Sequence, residues 1–305
     1  ASLDMCDMAG CDLRGAELDG ADMKHAILRE ANLEGTDLSG RDLELVSLDR
    51  ANLRGARLIG ARMVMTALEG ADLTGADLSR AFLWGAIVNG AALRDVVLEG
   101  TELKSVVFDG ADLRGLRLAG LRLTRCSFVG ANLEGMDLRR CDLTHADLKE
   151  ARLRKADLRD AILREASLDT AALELADLTA ADARGAFFGK AKLASAKLGR
   201  AGLRYATFDE IEADFAVFTD ADLRETRFVR ARAREASFKG ARFDHADLSH
   251  ADVTGSDFRS ANLFSANLHG ARQDGALWQG ASLTSVKRTD PDRLEAEMWQ
   301  PPPRP

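Results

Sequence analysis

A five-residue period governs this chain from residue 1 to residue 285. It is visible in runs such as ADLTG ADLSR at 71–80 and ANLFS ANLHG at 261–270. Of 57 consecutive pentads, Ala opens 40 and Leu holds the third position in 38, with Phe taking nine more third positions. No residue is inserted or deleted. Neither a 3.6-residue helix nor a strict two-residue strand repeats every five residues. A chain that turns a corner at each pentad does. The first and third side chains, two apart on a short extended piece, then point the same way, into a core. The second, fourth and fifth point outward, where Asp, Arg, Glu, Lys and Ser collect. Of the 26 glycines, 23 fall at the fifth position, where a turning chain profits from positive φ. Between residues 140 and 235 only Gly185 holds that position, so the corner geometry is expected to change there.

The A-[DN]-L-x-x pattern resembles the pentapeptide-repeat family over residues 1–285. The resemblance implies an all-β fold, a right-handed quadrilateral parallel β-helix with four pentads per coil. At roughly 4.8 Å between stacked strands, it would have about 14 coils and be about 65–70 Å long. The chain divides into a solenoid at 1–285 and a C-terminal segment at 286–305. The repeat is already in register at residue 1, which leaves the first coil's edge to a preceding segment or to a partner.

Twenty-residue spacing stacks side chains on one face. Phe188, Phe208 and Phe228 should form one interior ladder, and Phe218, Phe238 and Phe258 another on the opposite face. Ala213, Ala233 and Val253 lie on the face between them and make room, since interiors pack to near-constant density. Two inward positions break the pattern. Arg41 should distort its corner and reach solvent or pair with Asp42 or Glu44, because an unpaired buried guanidinium is too costly. Gln273 replaces a central Leu near the C-terminal end, where an incomplete coil could satisfy its amide.

Few residues suggest chemistry. Cys6, Cys11, Cys126 and Cys141 open their pentads and read as small inward residues rather than metal ligands or disulfide partners. This usage fits a reducing, cytoplasmic compartment. The five histidines (25, 145, 245, 250 and 269) take outward positions and read as solvated, His250 and His269 being the best pairing. No phosphate-binding loop, nucleophile elbow or dinucleotide fingerprint is present. No catalytic residue, metal or cofactor is expected, and the chain reads as a non-catalytic scaffold for protein–protein interaction, as in a bacterial secretion or regulatory assembly. No run of about eighteen apolar residues spans a membrane. The first ten residues, ASLDMCDMAG, lack the basic and apolar regions of a secretory leader.

The family resemblance also implies an alternative, the DNA mimic that occupies gyrase or a related topoisomerase and confers quinolone resistance. A duplex of the rod's length would carry about 40 phosphates, whereas this chain has a net charge of −7. That acidity lies in the first hundred residues, which hold 17 acidic and 10 basic side chains. Nucleic acid is an unlikely partner for so acidic a chain.

Two segments remain as candidate partner sites. After residue 285, Asp290–Pro291 reads as a helix N-cap and first turn. Leu294, Met298 and Trp299 would lie on one side of a helix at about 290–299, covering the last coil or joining a homodimer. The QPPPRP tail could be a polyproline ligand. On the rod, outward apolar residues gather between 45 and 107: Leu45, Val64, Met65, Phe82, Trp84, Ile87 and Val107, with Ile59 nearby. Scattered apolar residues would mean little, but these lie on neighbouring coils and should form one partner-binding patch with aromatic residues at its centre.

Overall fold

The computed structural model describes residues 2–299, apart from the side chain of Met298. The sequence period becomes a four-sided solenoid. Parallel backbone bridges join residues twenty apart, from Ser2–Asp22 to Asn267–Lys287, and a turn closes each pentad. We number the faces from residue 1, so that 41–45, 61–65 and 81–85 stack on the first face and 46–50 begins the second. Each straight piece is very short. Among the described residues only Phe82–Trp84 (β1) and Glu102–Lys104 (β2) extend into a continuous strand pair, with Leu83 opposite Leu103.

The repeat residues build the corner by hydrogen bonding. A second-position Asp accepts the backbone N–H two residues on, as Asp37 does from Ser39 and Asp72 from Thr74, both at 2.9 Å. This Asx-type bond favours the turn. The next pentad's first N–H then closes onto the third-position carbonyl, as Ala51 does onto Leu48 at 3.0 Å. Every fifth residue from Met5 to Ser285 has positive φ. The expected change of corner in the glycine-poor middle does not occur. Arg140, Thr170, Tyr205 and Phe215 have φ of 57°, 59°, 66° and 61°, matching 65° at Gly130. The stacked ladder imposes the corner on side chains for which the left-handed region costs about 1–2 kcal/mol.

First- and third-position side chains fill the interior. The phenylalanine ladders stack as their spacing predicts, at 4.7 and 4.6 Å through Phe188, Phe208 and Phe228, and at 5.1 and 4.8 Å through Phe218, Phe238 and Phe258. The two ladders meet edge to face at 6.0 Å between Phe208 and Phe218, and Trp278 extends the second at 4.4 Å. Ala213, Ala233 and Val253 are fully buried beside them.

Two places interrupt the ladder. Among the described residues no bridge joins 17 to 37 or 22 to 42, nor 92 to 112, 97 to 117, 102 to 122 or 117 to 137. Arg41 occupies the first opening. Its guanidinium reaches the carbonyls of Ser39 and Leu18 at 3.4 and 3.5 Å and Asp19 at 3.8 Å. The expected partners Asp42 and Glu44 are instead held by Arg62, at 2.9 and 2.7 Å. At the second opening the coil of 101–120 lacks a bridge to either neighbour on the fourth face, where Gly120 N–H still donates to the Arg139 carbonyl at 2.8 Å, and Leu98 and Leu121 are only half-buried.

The C-terminal helix α1, Pro291–Met298, begins at Asp290, whose carboxylate accepts from the N–H groups of Asp292 and Arg293. It does not close the last coil. Gln273, Trp278, Leu283 and Val286 remain half-exposed. Instead α1 lies along the corner between the second and third faces, where Glu297 meets His250 and His269. The polyproline motif expected in 300–305 lies outside the described residues.

Candidate functional site

The expected patch assembles on the first face around β1. The ladder itself brings its members together: Leu45 N–H donates to the Val64 carbonyl at 3.0 Å, and Met65 N–H to the Trp84 carbonyl at 2.8 Å. Ile87 and Val107 are bridged around the next corner. Leu45, Met65, Phe82, Trp84 and Ile87 are exposed, Met65 most of all at 61%. Val64, Val107 and Ile59 are half-buried and form its edges. Met65 folds across Gly85, to which any added Cβ would come within 3.5 Å of the methionine Cγ. The Lys104 ammonium sits 5.5 Å from the centre of the Trp84 ring, within cation–π range.

The patch has two different borders. Towards the N-terminus lies the ion-pair net of Arg62 with Asp42 and Glu44, to which Lys24 adds a 3.1 Å contact with Asp42. On the other side lies a groove of about 470 Å³, floored by Thr101, Leu103 and Leu121 and walled by Trp84, Lys104 and Arg122. It sits where the bridge between 102 and 122 is missing. Nothing in the five-residue pattern announced this groove.

The helix side chains behave differently. Leu294 is half-buried and Trp299 is 69% exposed, while the side chain of Met298 lies outside the described residues. The helix is held by polar contacts. His269, expected as a solvated residue, is 2% exposed. Its Nδ1 accepts the Asp290 backbone N–H at 3.2 Å, and its Nε2 lies 3.1 Å from Glu297. His250 Nε2 reaches the same carboxylate oxygen at 3.1 Å. The Arg293 guanidinium, then His269, holds the Glu297 carboxyl below the ordinary range. Donor-type atoms of His250, His269 and Glu297 lie within 4.8 Å of one another, close enough for a metal ion. The Asp290 contact argues otherwise, because it places the ring proton of His269 on Nε2, the atom a metal would need. The cluster is a hydrogen-bonded latch.

The remaining chemistry-bearing side chains are dispersed. Cys126 and Cys141 are buried, and burial pushes their thiols up to about 12 and about 11. Cys6 is half-buried and Cys11 is exposed, contrary to its inward reading, because among the described residues no coil stacks on the far side of 1–20. His25 and His145 pair with Asp4 and Glu165 at 3.0 and 3.5 Å. Many second-position aspartates are clamped by the arginine two residues on, as in Asp112–Arg114 at 2.7 Å and Asp137–Arg139 and Asp157–Arg159 at 2.6 Å. The Arg139 hydrogen bond holds Asp137 at about 2. The sequence places these carboxylates at outward positions, and the D-L-R triplet within a pentad marks the ones that are clamped.

Among the described residues no helix is long and apolar enough to cross a membrane. No curated protein matches the chain. Among solved structures it is similar to HetL, a pentapeptide repeat protein from the cyanobacterium Nostoc involved in heterocyst differentiation regulation. That match has 26% identity, covers 86% of this chain and 89% of HetL, and has a TM-score of 0.19. QnrB1, a plasmid-mediated fluoroquinolone resistance protein, is 17% identical over 63% of this chain and 97% of its own, with a TM-score of 0.30. A pentapeptide repeat protein from the Arabidopsis thaliana thylakoid lumen is 31% identical over 28% of this chain and 70% of its own, with a TM-score of 0.12. Eight copies of the family described as pentapeptide repeats match, together spanning residues 6–179 and 214–277. The chain therefore belongs to the pentapeptide-repeat family, whose fold is a right-handed β-helix.

Proposed function

We propose that this protein is a non-catalytic, cytoplasmic scaffold that binds a partner protein through the first-face patch around Phe82 and Trp84. The observation that carries the reading is the contiguity of exposed Leu45, Met65, Phe82, Trp84 and Ile87 beside a groove walled by Trp84. Large exposed aromatic and aliphatic side chains on adjoining coils gain by being covered. Lys104 and Arg122 at the groove would favour a partner with acidic residues around an apolar centre. Such a module suits a bacterial secretion or regulatory assembly. Phe82→Ser combined with Trp84→Ser tests the proposal by affinity capture from lysate of the source cell. Proteins held by the wild type should be lost by the variant while its melting temperature stays the same. Unaltered capture, or a variant that unfolds, would overturn it.

The alternative, a DNA mimic acting on gyrase, asks for lines of free negative charge. The Asp–Arg clamps neutralise many carboxylates locally. A gyrase supercoiling assay should show no inhibition by this protein.

A further inference from the structure

Near its C-terminal end the acidic rod carries a concave region of the opposite sign. Between α1 and the corner of the second and third faces runs a groove of about 1100 Å³. Six arginines line it: Arg227, Arg230, Arg232, Arg234, Arg272 and Arg293. Only three carboxylates do, those of Asp247, Asp252 and Glu297. Four of the arginines are committed. Arg227 is paired with Asp209 at 2.9 Å, Arg234 with Asp252 at 2.8 Å, Arg293 with Glu297 at 2.7 Å, and Arg232 with Glu212 and Asp214 at 3.3 and 3.1 Å.

Arg230 and Arg272 differ. Among the described residues neither has a carboxylate oxygen within 4.0 Å. Asp252, the bridge partner of Arg272, is taken by Arg234 and by the Thr254 hydroxyl at 2.7 Å. Asp247 accepts from Asn267 at 2.9 Å and from the Ser249 N–H at 3.0 Å. His250 stands between the two free arginines, one coil from Arg230 and on the same corner. Its ring lies over Gly270, where an added Cβ would fall 2.5 Å from Nδ1, so the absence of a side chain at 270 gives the imidazole its place in the wall. The helix latch makes the region a groove rather than a convex corner.

We propose that this groove is an anion site for a phosphate group, free or as a monoester, held by Arg230 and Arg272. Guanidinium forks match phosphate oxygens in pairs, and a cleft in which one sign of charge predominates concentrates its counter-ion even on a molecule of opposite net charge. This site is built from residues 227–297, far along the rod from the Trp84 patch at 45–107, and does not depend on it.

Isothermal titration with inorganic phosphate, and separately with phosphoserine, tests the site near neutral pH at constant ionic strength. The wild type should bind one phosphate per chain. Arg230→Gln with Arg272→Gln should weaken binding at least about tenfold, as expected for losing charged hydrogen bonds, without changing the melting temperature, since both side chains are exposed. A control with the same loss of charge, Arg80→Gln with Arg94→Gln, should bind as the wild type does. Tighter binding of phosphoserine than of phosphate assigns the site to a monoester; equal binding assigns it to the free ion. No saturable binding by the wild type, or equal affinity in the groove variant, would overturn the proposal.

Discussion

The hydroxyl of Thr66 donates to the carbonyl of Leu43, 23 residues earlier, at 2.8 Å. The same offset recurs at several other pentads opened by a polar group, whereas Thr226 turns to Leu223, three residues earlier. Thr101 reaches Leu78 at 2.9 Å, Cys141 reaches Leu118 at 2.9 Å, and Ser256 reaches Ala233 at 2.6 Å. Arg41 follows it too, to Leu18 at 3.5 Å. Each third-position carbonyl already accepts one turn N–H, and its second lone pair faces the first position of the coil above. A buried donor at that position is therefore satisfied by the backbone. Thr66→Val, which keeps the shape and removes the donor, should destabilise the protein by about 1 kcal/mol, while Thr66→Ser, which keeps the donor but gives up a buried methyl, should lose about 0.8 kcal/mol for a different reason. Urea melts of the three proteins check this. Equal stability of Val and Thr would show that the carbonyl contributes nothing at this position.

The uniform corners make a second measurement decisive. Gly130 has φ of 65° and no atom within 4 Å of an added Cβ, so Gly130→Ala isolates the backbone cost of a side chain in the left-handed region. A loss of about 1 kcal/mol is expected. Thr170 is β-branched and sits at φ 59°, so Thr170→Gly should gain stability despite the greater chain entropy of glycine. Thermal melts of both variants give the sign directly. Destabilisation by Thr170→Gly would mean that its side chain supplies more contact energy than the corner costs.

The coil of 101–120 should be the easiest part of the solenoid to open. It has no bridges to the preceding coil at 112 and 117, nor to the following one at 102 and 117, so fewer bonds must break together there. Amides of Leu98, Arg117 and Leu118 should exchange with deuterium at least about tenfold faster than Leu158, Leu163 and Leu178 in the regular ladder. Mass-spectrometric hydrogen exchange resolves the two regions. Uniform protection along the rod would show that the openings close in solution.

The sequence made the solenoid legible because a five-residue period admits so few solutions, and the phenylalanine ladders followed from twenty-residue spacing alone. It misled where backbone and tertiary contacts overrode composition. Missing glycine predicts a different corner, yet Arg140 and Phe215 adopt the glycine corner, because ladder bonds above and below fix φ regardless of residue type. Cys11 carries an inward position but has too little beyond it to be covered. The first-face patch could be drawn from residue numbers, since outward apolar side chains on consecutive coils must be neighbours. The arginine groove could not, because one wall is a helix outside the repeat and its docking place has no periodic signature. His269 was misread for the same reason: its position is outward, and only α1 buries it.

That burial sets the last expectation. α1 is joined to the rod through Glu297, which both His250 and His269 reach, and through the Asp290 N–H on His269 Nδ1. A Gly270 N–H bond to the Thr289 hydroxyl at 3.1 Å fixes the approach to the helix. Among the described side chains of α1, Leu294 is the one half-buried aliphatic residue, and the latch should dominate. His269→Ala removes both contacts of the ring and leaves the Asp290 N–H without its acceptor. Trypsin should then cut after Arg293 about tenfold faster than in the wild type, as expected for losing about 1–2 kcal/mol of hydrogen bonding. Glu297→Gln keeps an oxygen for the His269 Nε2–H and should be cut nearly as slowly as the wild type. The solenoid's own melting temperature should stay the same in both, because Trp278, Leu283 and Val286 remain half-exposed even with α1 in place. Equal cleavage of all three proteins would show that α1 is held by something other than the histidine latch, and a lower solenoid melt in His269→Ala would show that the helix supports the last coil after all.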